Sequence, residues 1–65
     1  MQILVNGASR EIAAGDLAGV LEELGYSNAV VATALNGQFV SASARASARL
    51  RDGDRLEVLA PMQGG

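Results

Sequence analysis

The chain has 65 residues, enough for one small domain, and although 49% of them are apolar, 12 of those are alanine. It contains no cysteine, histidine or lysine, which excludes disulfides, thiolate or imidazole metal sites, a cysteine nucleophile, an imidazole acid–base group and a Schiff base. The formal net charge of −2 argues against nucleic acid or an anionic membrane as partner.

Residues 1–5 (MQILV) read as a β-strand, and Asn6-Gly7 as a type I′ turn, because both residues tolerate positive φ. Residues 8–12 return as a second strand. After the connector Ala13-Ala14-Gly15, Asp16 stands where an N-cap belongs. Leu17, Val20, Leu21 and Leu24 then recur at i, i+3, i+4 and i+7, the apolar stripe of a short helix. Glu22 and Glu23 face water in this reading, and Gly25 stops the helix. Gly19 inside it looks like a flaw, costing about 1 kcal/mol against alanine.

Residues 30–35 form a further strand, and Asn36-Gly37 turns it into Phe39-Val40. Residues 41–49 (SASARASAR) read as a surface loop or a single helical turn pinned by one or two alanines. A second reading has their arginines contact an acidic partner. Asp52-Gly53-Asp54 is a tight turn, residues 55–60 alternate as a last strand, and Pro61 ends it.

Two hairpins, one helix and a last strand predict an α+β domain, a mixed sheet of about five strands with one main helix packed across one face. The helix-containing middle lets the first strand pair in parallel with the last. This is the β-grasp, or ubiquitin-like, arrangement, expected over residues 1–60 with a flexible tail at 61–65.

That tail is Pro61-Met62-Gln63-Gly64-Gly65. Terminal glycines carry the largest ordering entropy and no side chain to bury, so they have no packing use. They make a thin thread with an unhindered carboxylate at its tip, reaching roughly 17 Å when extended. No apolar run attains the roughly 18 residues of a membrane span, no basic flank marks a signal peptide, and a cytoplasmic setting is expected. So small a chain leaves no room for a cleft around a carboxylate pair. The expectation is therefore a chain that is not an enzyme and whose reactive group is handed to another protein.

Several segments in this order and spacing, Met1-Gln2-Ile3-Leu4-Val5-Asn6-Gly7, Leu21-Glu22-Glu23-Leu24-Gly25, Ala34-Leu35-Asn36-Gly37 with Phe39-Val40, Asp52-Gly53-Asp54-Arg55 and Gly64-Gly65, carry a family resemblance. The chain resembles the ThiS-type sulfur carriers of thiamin biosynthesis, small ubiquitin-like proteins; residues 41–49 depart from their pattern. The resemblance implies that an adenylating enzyme of the ubiquitin-activating type (ThiF-like), using ATP and Mg²⁺, activates the carboxylate of Gly65. Sulfur from a cysteine desulfurase then gives a thiocarboxylate, which supplies a thiazole synthase (ThiG-like). Pro61, Met62, Gln63 and Gly64 would thread the enzyme's channel, and this chain itself would bind no cofactor or metal. Rival readings are the molybdopterin-synthase small subunit, a protein modifier joined through Gly65, and a β-grasp binding module with an idle tail.

Alternation along the strands sends Ile3, Val5, Val31, Leu35, Leu56 and Val58 towards the helix stripe. The opposite face then carries Leu4, Ala32, Ala34 and Leu59, with Gln2 and Glu57 beside them. Two leucines on a wet sheet face suggest an interaction patch. By resemblance to ubiquitin-like proteins, this is the face offered to the activating enzyme.

Overall fold

The computed structural model describes residues 1–26 and 30–60. Its elements are β1 (Gln2–Val5), β2 (Ala8–Glu11), α1 (Leu17–Glu23), β3 (Ala32–Leu35), β4 (Gln38–Val40), a 3₁₀ helix (Ala42–Ser47) and β5 (Arg55–Leu59). The strands form one sheet in the order β2-β1-β5-β3-β4. β5 lies parallel to β1 and antiparallel to β3, so the last strand in sequence is central in space. The β-grasp expectation holds.

The turns follow from their residues. Asn6 and Asn36 both sit at φ 51°, and Gly7 and Gly37 at φ 85°. Two successive positive φ values are the I′ geometry whose twist matches that of the flanking strands. Each asparagine also has a second task. The Asn6 side chain accepts from the Val58 N–H at 2.8 Å and donates to the Val58 carbonyl at 3.1 Å. It thereby continues the β1–β5 ladder one step past the pair Val5↔Leu56. Asn36 acts at the opposite end of β5, accepting from the Arg55 N–H at 2.9 Å and donating to Asp54 Oδ1 at 3.1 Å.

α1 begins as its sequence dictates: the Asp16 carboxylate accepts from the Gly19 N–H at 2.8 Å. Gly25, at φ 93°, stands just past the C-cap Leu24. The helix buries Leu17, Val20 and Leu21 against Ile3, Val5, Leu56 and Val58, while Leu24, Val31 and Leu35 pack around this core half-buried. Gly19 is not the flaw that propensity suggests. A Cβ there would meet Ala14 Cβ at 3.0 Å and Asp16 Oδ1 at 3.4 Å, so glycine lets the connector lie close to the first turn. Glu23 is exposed, yet its carboxylate does not simply face water. It accepts from the Ala13 and Ala14 N–H groups at 3.0–3.1 Å, and these bonds hold its pKa below the usual carboxylate value.

Residues 42–47 form a short 3₁₀ helix, in line with the expectation of a single helical turn. Ala48 at its end packs against the core, and an arginine that the sequence did not single out holds it as well. Arg45 turns inward: Nε donates to Thr33 Oγ1 at 3.1 Å and Nη2 to the Val31 carbonyl at 2.7 Å. β4 stops at Val40, which pairs with Thr33. The guanidinium thus takes up the next carbonyl along β3, where β4 has ended. Thr33, almost fully buried, also donates to the Val40 carbonyl at 2.8 Å, which satisfies its hydroxyl inside an apolar core. Ile12 and Leu50 complete the core.

Candidate functional site

Pro61, Met62, Gln63, Gly64 and Gly65 lie outside the described residues, as does the proposed division at residue 60 into domain and tail. What the structure describes is the strand from which they continue and the surface around it. β5 is gripped from both sides as far as Val58, and from one side up to its last residue. On one side Ala32 pairs with Leu59 and Thr33 with Val58. On the other, the Asn6 carboxamide holds the backbone of Val58. Ala60 therefore continues from a fixed strand end.

Leu4, Ala32, Ala34 and Leu59 all stand on the sheet face away from α1, as alternation predicts. They do not form one cluster. Leu4 pairs with Arg55, four residues before Leu59 on β5, which separates the two leucines by roughly 13 Å along the strand. Arg55 and Glu57 occupy the outer positions between them. Leu4, 38% exposed, instead borders a depression with Gln2, Ser9, Asp52 and Gly53. Leu59, 67% exposed, lies beside Ala32, and with Val30, Val31 and Ala60 they line an open apolar depression of about 310 Å³. This depression sits where the tail departs. Ala34, half-buried, stands next along β3 opposite Glu57.

Two further exposed apolar residues join this face: Val30, which alternation along residues 30–35 already sets beside Ala32 and Ala34, and Phe39. Val30 is 80% exposed and Phe39 73%. The signal for Phe39 was present: a two-residue turn at Asn36-Gly37 forces Leu35 opposite Gln38 and hence Ala34 opposite Phe39, on the outer face. Among the described residues no group of three or more acidic side chains converges as a metal site, and no helix is long and apolar enough to cross a membrane.

A mixed five-stranded sheet with one helix across it, an apolar patch on the outer face beside the end of the central strand, and a Gly-Gly sequence after that strand define a ubiquitin-like β-grasp protein. The family model for ThiS matches residues 3–65, and the chain belongs to the ThiS family. The family is one of small sulfur carriers, and that is the role this chain takes. Its structure is similar to the crystal structure of thiamine biosynthesis protein ThiS from Geobacter metallireducens, with a TM-score of 0.84, 29% sequence identity and each chain covered in full. No curated protein sequence matches it.

Proposed function

We propose that this chain carries sulfur for thiamin biosynthesis on the carboxylate of Gly65. The observation that supports the reading is that the family match runs through Gly64-Gly65 to residue 65, while the whole chain superposes on a ThiS fold. A terminal carboxylate, with a pKa of about 3.3–3.7, is ionised and unreactive at neutral pH, so it needs a leaving group. Its oxygen attacks the α-phosphate of ATP in the partner's site, where Mg²⁺ also resides, and pyrophosphate departs. A persulfide supplied through a cysteine desulfurase attacks the acyl-adenylate and displaces AMP, giving an acyl disulfide. A second thiol of the sulfur donor then cleaves the S–S bond, closing a disulfide on the donor, and the thiocarboxylate so released delivers sulfur to a thiazole synthase. The chain is a co-substrate, with ATP and Mg²⁺ belonging to the adenylating enzyme, in a cytoplasmic setting.

Pro61, Met62, Gln63 and Gly64 form the thread that enters the partner, and Leu59, Ala32 and Ala34, extended by Val30, form the surface that docks on it. Leu4 stands apart at the far end of the same face and contributes at the margin. The test is intact mass after incubation with ATP, an active adenylating enzyme and a sulfur source. A gain equal to one oxygen replaced by sulfur, localised to Gly65, is expected. Adducts to other proteins would instead make the chain a modifier, and an unchanged mass would make the tail idle.

A further inference from the structure

The chain holds three Asx-Gly pairs: Asn6-Gly7, Asn36-Gly37 and Asp52-Gly53. Each is a point of chemical lability, because a glycine without Cβ lets its amide nitrogen swing onto the preceding side-chain carbonyl carbon. The fold treats the three differently. At Asp52 the nucleophile is engaged: the Gly53 N–H donates to the Gln2 carbonyl at 2.7 Å, and Asp52 Oδ1 accepts from the Gln2 N–H at 2.6 Å. A carboxylate is also a poorer electrophile than a carboxamide.

The two asparagines start equal. Both sit at φ 51° before a glycine at φ 85°, and at neither glycine would a Cβ meet anything within 4 Å. Among the described residues neither the Gly7 nor the Gly37 N–H has an acceptor. What separates them is the hold on the carboxamide. Asn6 is bound at both ends by the Val58 backbone, in part-buried bonds within a central strand. The Asn36 bonds are exposed, at 2.9 Å from the Arg55 N–H and 3.1 Å to Asp54 Oδ1, and water replaces them readily.

We propose that Asn36-Gly37 is a self-modification site, at which the chain converts asparagine to isoaspartate and aspartate and so sets a like charge against Asp54. The Gly37 nitrogen gives up its proton and attacks Asn36 Cγ. The Cγ–Nδ2 bond breaks, and the amide leaves as ammonia with that proton. Water then opens the succinimide at either carbonyl, with no oxidant, metal or cofactor involved. In the aspartate product an oxygen stands where Nδ2 donated to Asp54, so two carboxylates meet at the entry to β5. In the isoaspartate product the main chain gains a methylene inside the turn that sets Leu35 opposite Gln38. Both changes fall at the start of β5, away from the end that leads to the tail. Asn6-Gly7, with the same turn, is protected by its grip on Val58.

Peptide mapping by mass spectrometry, with isoaspartyl methyltransferase labelling of the product, tests this on the full chain held at mildly alkaline pH, folded and in urea. In the folded chain conversion at residue 36 is expected about tenfold faster than at residue 6, the difference between exposed and part-buried pairs of bonds. In urea the two rates should converge. Asn36→Asp should lower Tm, and adding Asp54→Asn should recover it, because donor and acceptor then exchange places. Equal rates in the folded chain, or faster conversion at residue 6, overturn the proposal. So does a preference that persists in urea, which would place it in the neighbouring sequence, an intact residue 36 over a period in which the unfolded chain converts, or a double variant that recovers nothing.

Discussion

Replacing Asn6 with glycine separates the two tasks of that residue. Glycine adopts φ 51° readily, so the I′ turn survives, but both hydrogen bonds to Val58 at 2.8 and 3.1 Å are lost. Each bond is part-buried, and at about 0.5–1.5 kcal/mol apiece the pair contributes about 1–3 kcal/mol. The strain relieved at positive φ and the entropy that glycine adds to the unfolded chain act in opposite directions and largely cancel. Total stability for a chain this short is about 3–10 kcal/mol, so the loss is a large fraction of it. A deficit of about 2 kcal/mol lowers Tm by roughly 8–16 °C. Asn36→Gly provides the comparison, because its bonds to Arg55 and Asp54 are exposed to water and their replacement costs about 0.5–1 kcal/mol. Thermal and urea unfolding of both variants, with amide exchange at Val58, measures the difference. Equal Tm values for the parent and Asn6→Gly, or a larger loss for Asn36→Gly, would refute the clamp.

Other consequences concern the tail, the outer face, the connector and the 3₁₀ helix. Deleting Gly65, or adding one residue after it, should abolish ATP–pyrophosphate exchange by the adenylating enzyme with Tm unchanged, since a displacement of one residue destroys reactive geometry. Leu59→Asp should weaken association with that enzyme in a titration while leaving thermal stability nearly unaltered, as befits a side chain 67% exposed; an unfolded variant would count against the register. Glu23 has a folded pKa lowered by the Ala13 and Ala14 N–H groups, so its stabilisation is fully present above the ordinary glutamate pKa and is lost as pH falls through the folded pKa. Glu23→Gln should therefore flatten the acid limb of a stability–pH curve and leave neutral-pH titration behaviour alone. Arg45→Met keeps the alkyl stem but removes the bonds to Thr33 and Val31, and urea unfolding should register a loss of about 2 kcal/mol.

Most of the framework was legible because it depends on local chemistry. Asn-Gly twice requires positive φ, Asp16 offers a cap, and alternation in residues 55–59 matches one wet and one dry face. Features that depend on neighbours distant in sequence were not legible. Leu50 sits between two arginines with no periodic partner, so nothing local marks it as core. Arg45 in an alanine–serine repeat carries no sign that it will reach Thr33, because the carbonyl it satisfies is freed only where β4 stops. The face of Leu4 was correct but its neighbours were not. The stagger of β1 against β5 places it beside Arg55, and no count of alternating residues supplies that offset. For the outer face, sequence identified the side each residue occupies, and the register decided which of them touch.

The parallel alignment of β1 and β5 also has a mechanical consequence. Tension applied through Ala60 acts along the axis of β5, while the ladders to β1 and β3 run perpendicular to that pull. Such a load must shear the bonds on both flanks together, together with the Asn6 grip on Val58, because no free edge exists at which they could open one by one. Force applied beyond Ala60 therefore does not peel the strand from its sheet one bond at a time, and under the proposed function the domain would act as a stopper where the tail enters a partner.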